Sequence, residues 1–206
     1  MFDKRWWSLI SNIYNASVYK NKIINLLLKN KDFVTVINPI SDSKCEYLDV
    51  IDILLGGEWI YNGIKYEEYG HIFDYNFVDE IIKKEKTFVF VETDIDNVSR
   101  NIFTNFNLYV CIFTIKRQVR ITEHSTPTIN QIKNMGYCTS EYANRIDILC
   151  DIVDRTINGT NKISGIGDVR PADRGYCTIY LPNNKFYGKC LKYKIMNYNE
   201  DEICEN

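Results

Sequence analysis

This sequence lacks three features that would narrow its function: an excess of one charge, a long apolar run and closely spaced metal ligands. Its 25 Lys and Arg residues are offset by 27 Asp and Glu residues, which leaves a net charge of −2. A protein that grips nucleic acid normally carries a basic excess, so this class is disfavoured. No stretch approaches the roughly 18 apolar residues of a membrane helix. Because no secretory signal opens the sequence, we expect a soluble protein made inside a cell.

Cysteine and histidine are too scattered to form a familiar metal site. None of the seven cysteines has C-x-x-C spacing, and the two histidines are His71 and His124. A structural zinc site uses closely spaced pairs of ligands. The sequence therefore predicts reduced, mostly buried thiols, with neither a metal nor another cofactor.

The apolar content is sufficient for one complete core. Hydrophobic residues make up 45% and aromatic residues 14% of the 206 positions, which is typical of a folded chain rather than a disordered one. We expect a single domain over 1–206. Within it we predict an N-terminal arm at 1–16, an irregular insertion at 33–77 and a flexible acidic tail at 197–206.

Two segments have the spacing of amphipathic helices. The apolar residues within Ser17–Asn30 form one broad face. A second apolar stripe begins near Thr139 or Ser140, which are both suitable N-cap residues. It ends at Asn158-Gly159, a common helix stop. The polar span Arg117–Tyr137, which precedes the second helix, is predicted to be a loop.

Several β-branched and aromatic segments predict strands. They are Thr87–Val91, Phe106–Ile115, a hairpin Trp59–Tyr66 around the turn Asn62-Gly63, and a C-terminal hairpin made by Tyr176–Leu181 and Tyr187–Met196. Strands and helices are segregated along the chain rather than strictly alternating. This order favours an α+β fold, in which an antiparallel sheet with a long hairpin packs against two main helices.

The segment Phe106–Ile115 is apolar at both its even and its odd positions. Side chains alternate between the two faces of a strand, so both faces of this strand must be covered, by helices or by another subunit. This is the main indication of self-association in the sequence. Trp6 and Trp7 are costly to leave in water, and we expect them to dock on the core or on a neighbouring subunit.

Catalytic motifs are weak. His124 and Cys138 form the best pair of base and nucleophile, but a histidine in a polar loop is more often a surface residue. The segment Gly165–Asp168 lacks the third glycine and the following helix of a dinucleotide-binding loop. The arginines of Arg117–Arg120 and Arg170–Arg174 are interpreted as solvated loop side chains, given the near-neutral charge. We predict that the chain is not an enzyme.

Six segments of the sequence, taken in order, carry a resemblance to a known protein family. They are Gly70–Tyr75, Glu85–Val91, Phe103–Arg120, the helix Asn144–Gly159, Gly165–Val169 and Phe186–Tyr193. In this order and spacing, residues 17–196 resemble the tail terminator and tail-completion proteins of long-tailed phages. Those proteins have an early helix, an antiparallel sheet with a long hairpin, a second helix on that sheet and a closing pair of strands.

The resemblance implies a virion structural protein, assembled in the host cytoplasm without a membrane. Copies would form a closed ring at the head–tail junction, commonly a hexamer, which ends the tail tube and meets the portal-side connector. DNA would pass through without specific binding. Contacts that close a ring are heterologous. The expected interface residues are Trp6, Trp7, Phe106, Tyr109, Phe113, Ile115, Arg117 and Arg120.

Other functions stay open at this point. The insertion at 33–77 and the N-terminal arm also suit a head-side neck adaptor or stopper. A small intracellular enzyme using Cys138 and His124 is a second alternative. A binding module that regulates a host protein, with one large aromatic patch, is a third.

Overall fold

The computed structural model describes residues 4–43, 46–75, 83–98, 104–158 and 168–197, and their side chains within 16–43, 46–75, 83–94, 106–158 and 168–195. Its helices are α1 (Lys4–Lys29), α2 (Lys31–Ile37), α3 (Val50–Leu55), α4 (Ile129–Asn134) and α5 (Arg145–Asn158). Its strands are β1 (Gly57–Tyr61), β2 (Ile64–Glu68), β3 (Ile72–Phe73), β4 (Thr87–Val98), β5 (Thr104–Ile115), β6 (Arg120–Ile121), β7 (Ala143–Asn144), β8 (Asp168–Pro171), β9 (Cys177–Tyr180) and β10 (Phe186–Asn197). The predicted α+β class is confirmed.

One sheet organises the fold, with the strand order β3-β4-β5-β10-β8 and with β9 also paired to β10. The long strands β4, β5 and β10 have 12 residues each and pair antiparallel with one another. The two-residue strand β3 pairs parallel to β4, so the sheet is mixed rather than wholly antiparallel as predicted. β4 and β5 form the predicted long hairpin, and β9 and β10 form the predicted C-terminal one. Of the predicted tail at 197–206, only Asn197, which ends β10, lies within the described residues.

One face of this sheet packs against the helices and forms the main core. β5 contributes Phe106, Leu108, Val110 and Ile112, all with no exposed surface. The helices contribute Ile23 and Leu27 from α1, Phe33 and Val36 from α2, and Ile146, Leu149 and Val153 from α5. Because burying each such side chain contributes about 1.5–3 kcal/mol, this layer is the main source of stability.

The opposite face of the sheet carries an aromatic cluster formed by side chains of β4, β5 and β10. Phe88, Phe90, Phe113 and Phe186 are each at most 1% exposed, and the ring centroids of Phe90 and Phe113 are 5.0 Å apart. Gly188 makes room for this packing, because a Cβ there would lie 2.4 Å from the Cβ of Phe113. The even-numbered face of Phe106–Ile115 is thus buried within a single chain, whereas on the odd-numbered face Phe113 is buried and Tyr109, Cys111 and Ile115 are half-buried. The face that packs against the helices therefore requires no second subunit, and the chain itself covers the opposite face in part.

The first helix is longer than the pattern predicted. The predicted helix Ser17–Asn30 is confirmed, but α1 begins at Lys4. The predicted arm at 1–16 is therefore, from residue 4 onward, continuous with this helix. Asn30 ends α1 and caps α2, where its side chain accepts hydrogen bonds from the N–H groups of Asp32 and Phe33.

The last helix starts later than predicted. α5 begins at Arg145, so Thr139 and Ser140 are not its caps. Asn144 takes this role, and its side-chain oxygen accepts the N–H of Ile146 at 2.9 Å. A cap is decided by which side chain reaches the free N–H groups, and several residues in this stretch have a suitable side chain.

Arg145 explains why α5 starts where it does. Its side chain is buried, and it donates hydrogen bonds to the carbonyl oxygens of Gln118 at 3.0 Å, Val36 at 2.6 Å and Thr126 at 2.7 Å. Burial lowers the pKa of Arg145 to about 10, so the group stays charged at neutral pH. The buried cation joins α2, the 3₁₀ turn Lys116–Gln118 and the loop before α4.

Two spans that were predicted to be irregular contain regular elements. The span Arg117–Tyr137 includes α4, whose N-terminus is closed by a capping box of Thr128 and Gln131. The span 33–77 includes most of α2, all of α3, the hairpin β1–β2 and β3. Helices this short are marginal alone. Caps and core contacts, such as those of Phe33 and Leu54, hold them in place.

Candidate interaction surface

The hairpin β1–β2 forms a two-stranded sheet of its own, separate from the main sheet. Asn62 and Gly63 have φ angles of 51° and 76°, the left-handed values that a two-residue type I′ turn requires. Trp59 lies directly opposite Tyr66, which places two aromatic rings on one face of the hairpin. The predicted hairpin is confirmed. Because a lone two-stranded sheet is marginally stable in water, the rest of the chain must hold its base.

Backbone contacts hold the base of the hairpin. Gly56, at the end of α3, has a φ of 69°, and a Cβ there would lie 2.3 Å from the backbone nitrogen of Gly70. The N–H of His71 donates to the carbonyl oxygen of Leu54 at 2.7 Å. The chain entering the hairpin and the chain leaving it therefore cross in direct contact, which only glycine allows at this point.

A buried ion cluster ties the hairpin base to the main sheet. The Lys86 ammonium, just before β4, lies 3.1 Å from Glu68 Oε1 at the end of β2 and 2.6 Å from Asp42 Oδ2. The side chains of Lys86 and Glu68 are 3% and 0% exposed. Glu68 also accepts the N–H groups of Asp42 and Ser43, each at 2.9 Å. Removing either charge of the Lys86–Glu68 pair would therefore leave the other one buried without its partner.

Hydrogen bonds keep Glu68 ionised. Burial by itself would raise the pKa of this carboxyl group. The N–H groups of Asp42 and Ser43, the Ser41 hydroxyl and the Lys86 ammonium outweigh burial and hold the pKa below its usual value. Glu68 is therefore ionised opposite Lys86 at neutral pH. Lys84, whose Nζ lies 3.7 Å from Asp42 Oδ1, adds a second cation, so two basic and two acidic side chains meet at the hairpin base.

His71 completes the base with a neutral ring. It has no exposed surface. Its Nδ1–H donates to the Thr87 carbonyl oxygen at 2.8 Å, and its Nε2 accepts the N–H of Ile40 at 3.0 Å. Burial and the nearby Lys86 charge lower the pKa of His71 below its usual value. The neutral imidazole thus joins three chain segments, and its role here is structural.

Above this rigid base, large apolar side chains remain exposed. We call them the hairpin surface: Tyr47, Val50, Ile51, Leu55, Ile60 and Ile64. Ile60 is 79% and Tyr47 is 70% exposed, and the Tyr47 ring lies 4.2 Å from that of Tyr61. Ile64 pairs with Tyr61, whereas Ile60 pairs with Lys65, so these two side chains lie on opposite faces of the hairpin. Isolated exposed apolar residues are ordinary, but a group of them around one module marks an interaction site.

A second, smaller exposed apolar pair lies at the opposite edge of the main sheet. We call it the edge surface: Ile179 of β9 and Leu181 after it, which are 67% and 57% exposed. The hairpin leads into β3 at one edge of the sheet, whereas β9 lies beyond β10 at the other. The two apolar surfaces are therefore on opposite sides of the subunit.

The predicted interface residues are dispersed. Phe106 and Phe113 are 0% and 1% exposed and belong to the chain's own two core clusters. Assigning these two to an interface was wrong, because a residue buried within the chain has no surface for a partner. Tyr109 and Ile115 are half-buried. Trp6 and Trp7 lie in α1, but their side chains are outside the described residues.

Two basic residues of the predicted interface have partners within the chain. Arg117 forms an ion pair with Glu85, and the Arg120 guanidinium lies 4.2 Å from the centroid of the Tyr142 ring. Sequence reasoning missed the hairpin surface as a site. Its signal was present, since Ile60 and Ile64 flank a hairpin turn and are apolar where a solvated strand would be polar.

The residues considered for catalysis are not brought together. Cys138 Sγ accepts the N–H of Ser140 at 3.2 Å, His124 is exposed, and no described contact joins the two. Of Gly165–Asp168, only Asp168 is described, and it begins β8. The five described cysteines are free thiols; Cys150 is buried, whereas Cys177 is exposed. Within the described ranges, no group of three or more His, Cys, Asp or Glu is placed to hold a metal ion.

The family model named YomW matches residues 21–195, from α1 to β10. The chain belongs to the YomW family. The match covers the hairpin surface, the edge surface and the main sheet, and it supports a phage-associated protein. Comparisons with curated proteins and with solved structures find no match. In the described part of this YomW-family chain, no helix combines the length and apolar character needed to cross a bilayer.

Proposed function

We propose that this YomW-family chain is a virion structural subunit of a tailed phage. Copies of it form a ring at the head–tail junction, commonly a hexamer, which ends the tail tube and meets the head-side connector. The observation that carries the proposal is the hairpin surface, a group of exposed apolar side chains on a firmly anchored module. The phage-associated family and the resemblance in element order to tail terminators support it.

The positions of the two apolar surfaces favour a ring. The hairpin surface is near β3 and the edge surface is on β9, at opposite ends of the strand order. A subunit whose complementary surfaces lie on opposite sides binds its neighbours head to tail, and such heterologous contacts close into a ring when the rotation allows it. The occupant we assign to the hairpin surface is the edge surface of a second copy.

The charge of the chain suits a channel. With 25 basic and 27 acidic residues, a ring of such subunits has little net attraction for DNA phosphates. Strong phosphate contacts would slow the passage of DNA through the ring. DNA therefore passes without specific binding, and the partners of the ring are the tail tube protein and the connector.

Mass measurement of purified variants tests the ring. The double substitution Ile60→Thr and Ile64→Thr removes apolar surface while keeping β-branched residues that suit strands. Ile60 and Ile64 lie on opposite faces of the hairpin, so the double substitution removes the contact whichever face meets the neighbour. Losing one interface residue that contributes about 2 kcal/mol would raise the subunit dissociation constant about 30-fold. Native mass spectrometry of the wild type is expected to give a closed oligomer, and the variant is expected to dissociate at the same concentration.

Control variants distinguish a head-to-tail contact from other contacts. Tyr142→Thr removes an exposed aromatic residue outside both surfaces and should leave the oligomer intact. The edge double substitution Ile179→Thr and Leu181→Thr should dissociate it. Mixing the hairpin and edge variants should give a heterodimer, because one intact copy of each surface remains. A wild-type protein that stays monomeric and never joins particles would refute the proposal.

A further inference from the structure

We infer that the cleft between β5, β10 and the loop 172–176 binds a phosphate ester. This cleft has a volume of about 310 Å³ and is lined by Asn107, Ala172, Asp173, Arg174, Lys192 and Lys194. Such a volume is at the lower end of the range for small-molecule sites. The inference does not depend on ring formation, since none of these residues belongs to the hairpin surface or the edge surface.

The loop that forms one wall of the cleft is held at both ends. The N–H of Ala172 donates to the Lys192 carbonyl oxygen at 2.9 Å, and the N–H of Lys192 donates to the Tyr176 carbonyl oxygen at 2.8 Å. Both ends are therefore fixed to one residue of β10. Between them, Gly175 has a φ of 65°, which allows the tight turn that presents Asp173 and Arg174 at the rim.

Positive charge dominates the walls of the cleft. Arg174, Lys192 and Lys194 outnumber Asp173 three to one. The opposing carboxylate is weakly held, because the Lys194–Asp173 pair, at 3.2 Å, has side chains that are 40% and 87% exposed. Exposed pairs of this kind contribute little, so a ligand phosphate can displace Asp173 from Lys194. Asp94 of β4 pairs with Asn107 of β5. Its carboxylate limits the positive charge on the β4 side of the cleft.

A buried acceptor in the lining of the cleft points to a donor group on the ligand beside its phosphate. Asn107 is 3% exposed, and its Oδ1 has no hydrogen-bond partner among the described residues. Such unsatisfied buried groups are rare and costly. An acceptor at the floor of a basic cleft calls for a ligand that carries a hydroxyl or amine donor beside its phosphate. A nucleotide has this chemistry, whether it is a free nucleoside monophosphate or the end of a DNA strand.

Titration calorimetry of the full-length protein tests the site. The probes are inorganic phosphate, a nucleoside 5′-monophosphate and a short single-stranded oligodeoxynucleotide with a 5′-phosphate. Arg174→Gln and Lys194→Gln should each weaken nucleotide binding about tenfold, as expected for the loss of one charge-assisted contact. Lys185→Gln makes the same change of charge at an exposed position outside the cleft, and it should have no effect. Asn107→Ala should weaken the nucleotide but not inorganic phosphate.

A gain of affinity provides the independent check. Asp173→Asn changes an exposed side chain and removes the competing carboxylate, so it should tighten binding of every phosphate probe severalfold. Tighter binding of the oligonucleotide than of the monophosphate would assign the site to DNA ends, and the reverse would assign it to free nucleotides. The inference is overturned if no probe binds at millimolar concentration. It is also overturned if Lys185→Gln reduces binding as much as Arg174→Gln, or if Asp173→Asn has no effect.

Discussion

The ion cluster at the hairpin base makes a prediction with a built-in comparison. The chain contains two Lys–Glu pairs of similar chemistry and opposite exposure. Lys86 and Glu68 are 3% and 0% exposed, whereas Lys65 and Glu58 are 60% and 62% exposed. Lys86→Ala and Lys65→Ala therefore remove the same group from a buried and from a solvated partner. The difference between the two variants isolates the effect of burial.

The expected magnitude follows from what Glu68 retains. Removing one partner of a buried pair costs about 3–5 kcal/mol, because the other charge is left uncompensated. In Lys86→Ala, Glu68 keeps the N–H groups of Asp42 and Ser43, so the lower value, about 3 kcal/mol, is expected. For a chain of this size, 1 kcal/mol shifts Tm by about 2–4 °C. Tm should therefore fall by about 6–12 °C, and Lys65→Ala should leave it unchanged.

Thermal unfolding followed by circular dichroism measures both variants. Acid gives a second check, because protonating Glu68 removes the uncompensated charge. The difference between wild type and Lys86→Ala should therefore shrink below about pH 4.5, the usual carboxyl range. Hydrogen exchange should show the loss of protection concentrated in β1 and β2, which the cluster anchors. A Lys86→Ala protein as stable as Lys65→Ala would refute the reasoning.

Other predictions follow from single contacts. Because the folded-state pKa of His71 is lowered, its contribution to stability is present above the unfolded pKa of about 6.5 and is lost as pH falls below it, at up to about 1.4 kcal/mol per pH unit. In denaturant titrations between pH 7 and 5.5, His71→Asn should abolish this dependence of the free energy of unfolding on pH. The control His124→Asn should retain it. Gly188→Ala should cost about 1–3 kcal/mol by calorimetry, since its Cβ would lie 2.2 Å from the Ile112 carbonyl oxygen; an unchanged Tm would contradict this packing.

Local patterns predicted much of the secondary structure. The strands within 87–115 followed from β-branched and aromatic residues, and the hairpin followed from Asn62-Gly63. Each of these signals depends on neighbouring residues alone. The capping box of Thr128 and Gln131 was also a local signal for α4, and the polar character of the surrounding span concealed it. The start of α5 was different, since Arg145 is fixed by carbonyl groups as distant in sequence as Val36.

The candidate sites depended on the tertiary structure. No pattern in the sequence brings Asn107 beside Arg174 and Lys194, because these residues meet only through the pairing of β10 with β5 and β8. The exposure of Ile60 and Ile64 was likewise undecided, since the same residues would be buried if the hairpin joined the main sheet.

The strand Phe106–Ile115 separates what the sequence determines from what the tertiary structure decides. Its alternating apolar side chains determined, by themselves, that both faces of this strand must be covered. They did not determine what covers them, because the free energy of burial is non-directional and is the same against a helix, an aromatic cluster or another subunit. The fold supplies helices on one face. On the other face, Phe113 is buried beside Phe88, Phe90 and Phe186 of the neighbouring strands, and Tyr109, Cys111 and Ile115 are half-buried. The most exposed apolar side chains are elsewhere, on and beside a hairpin that forms a sheet of its own.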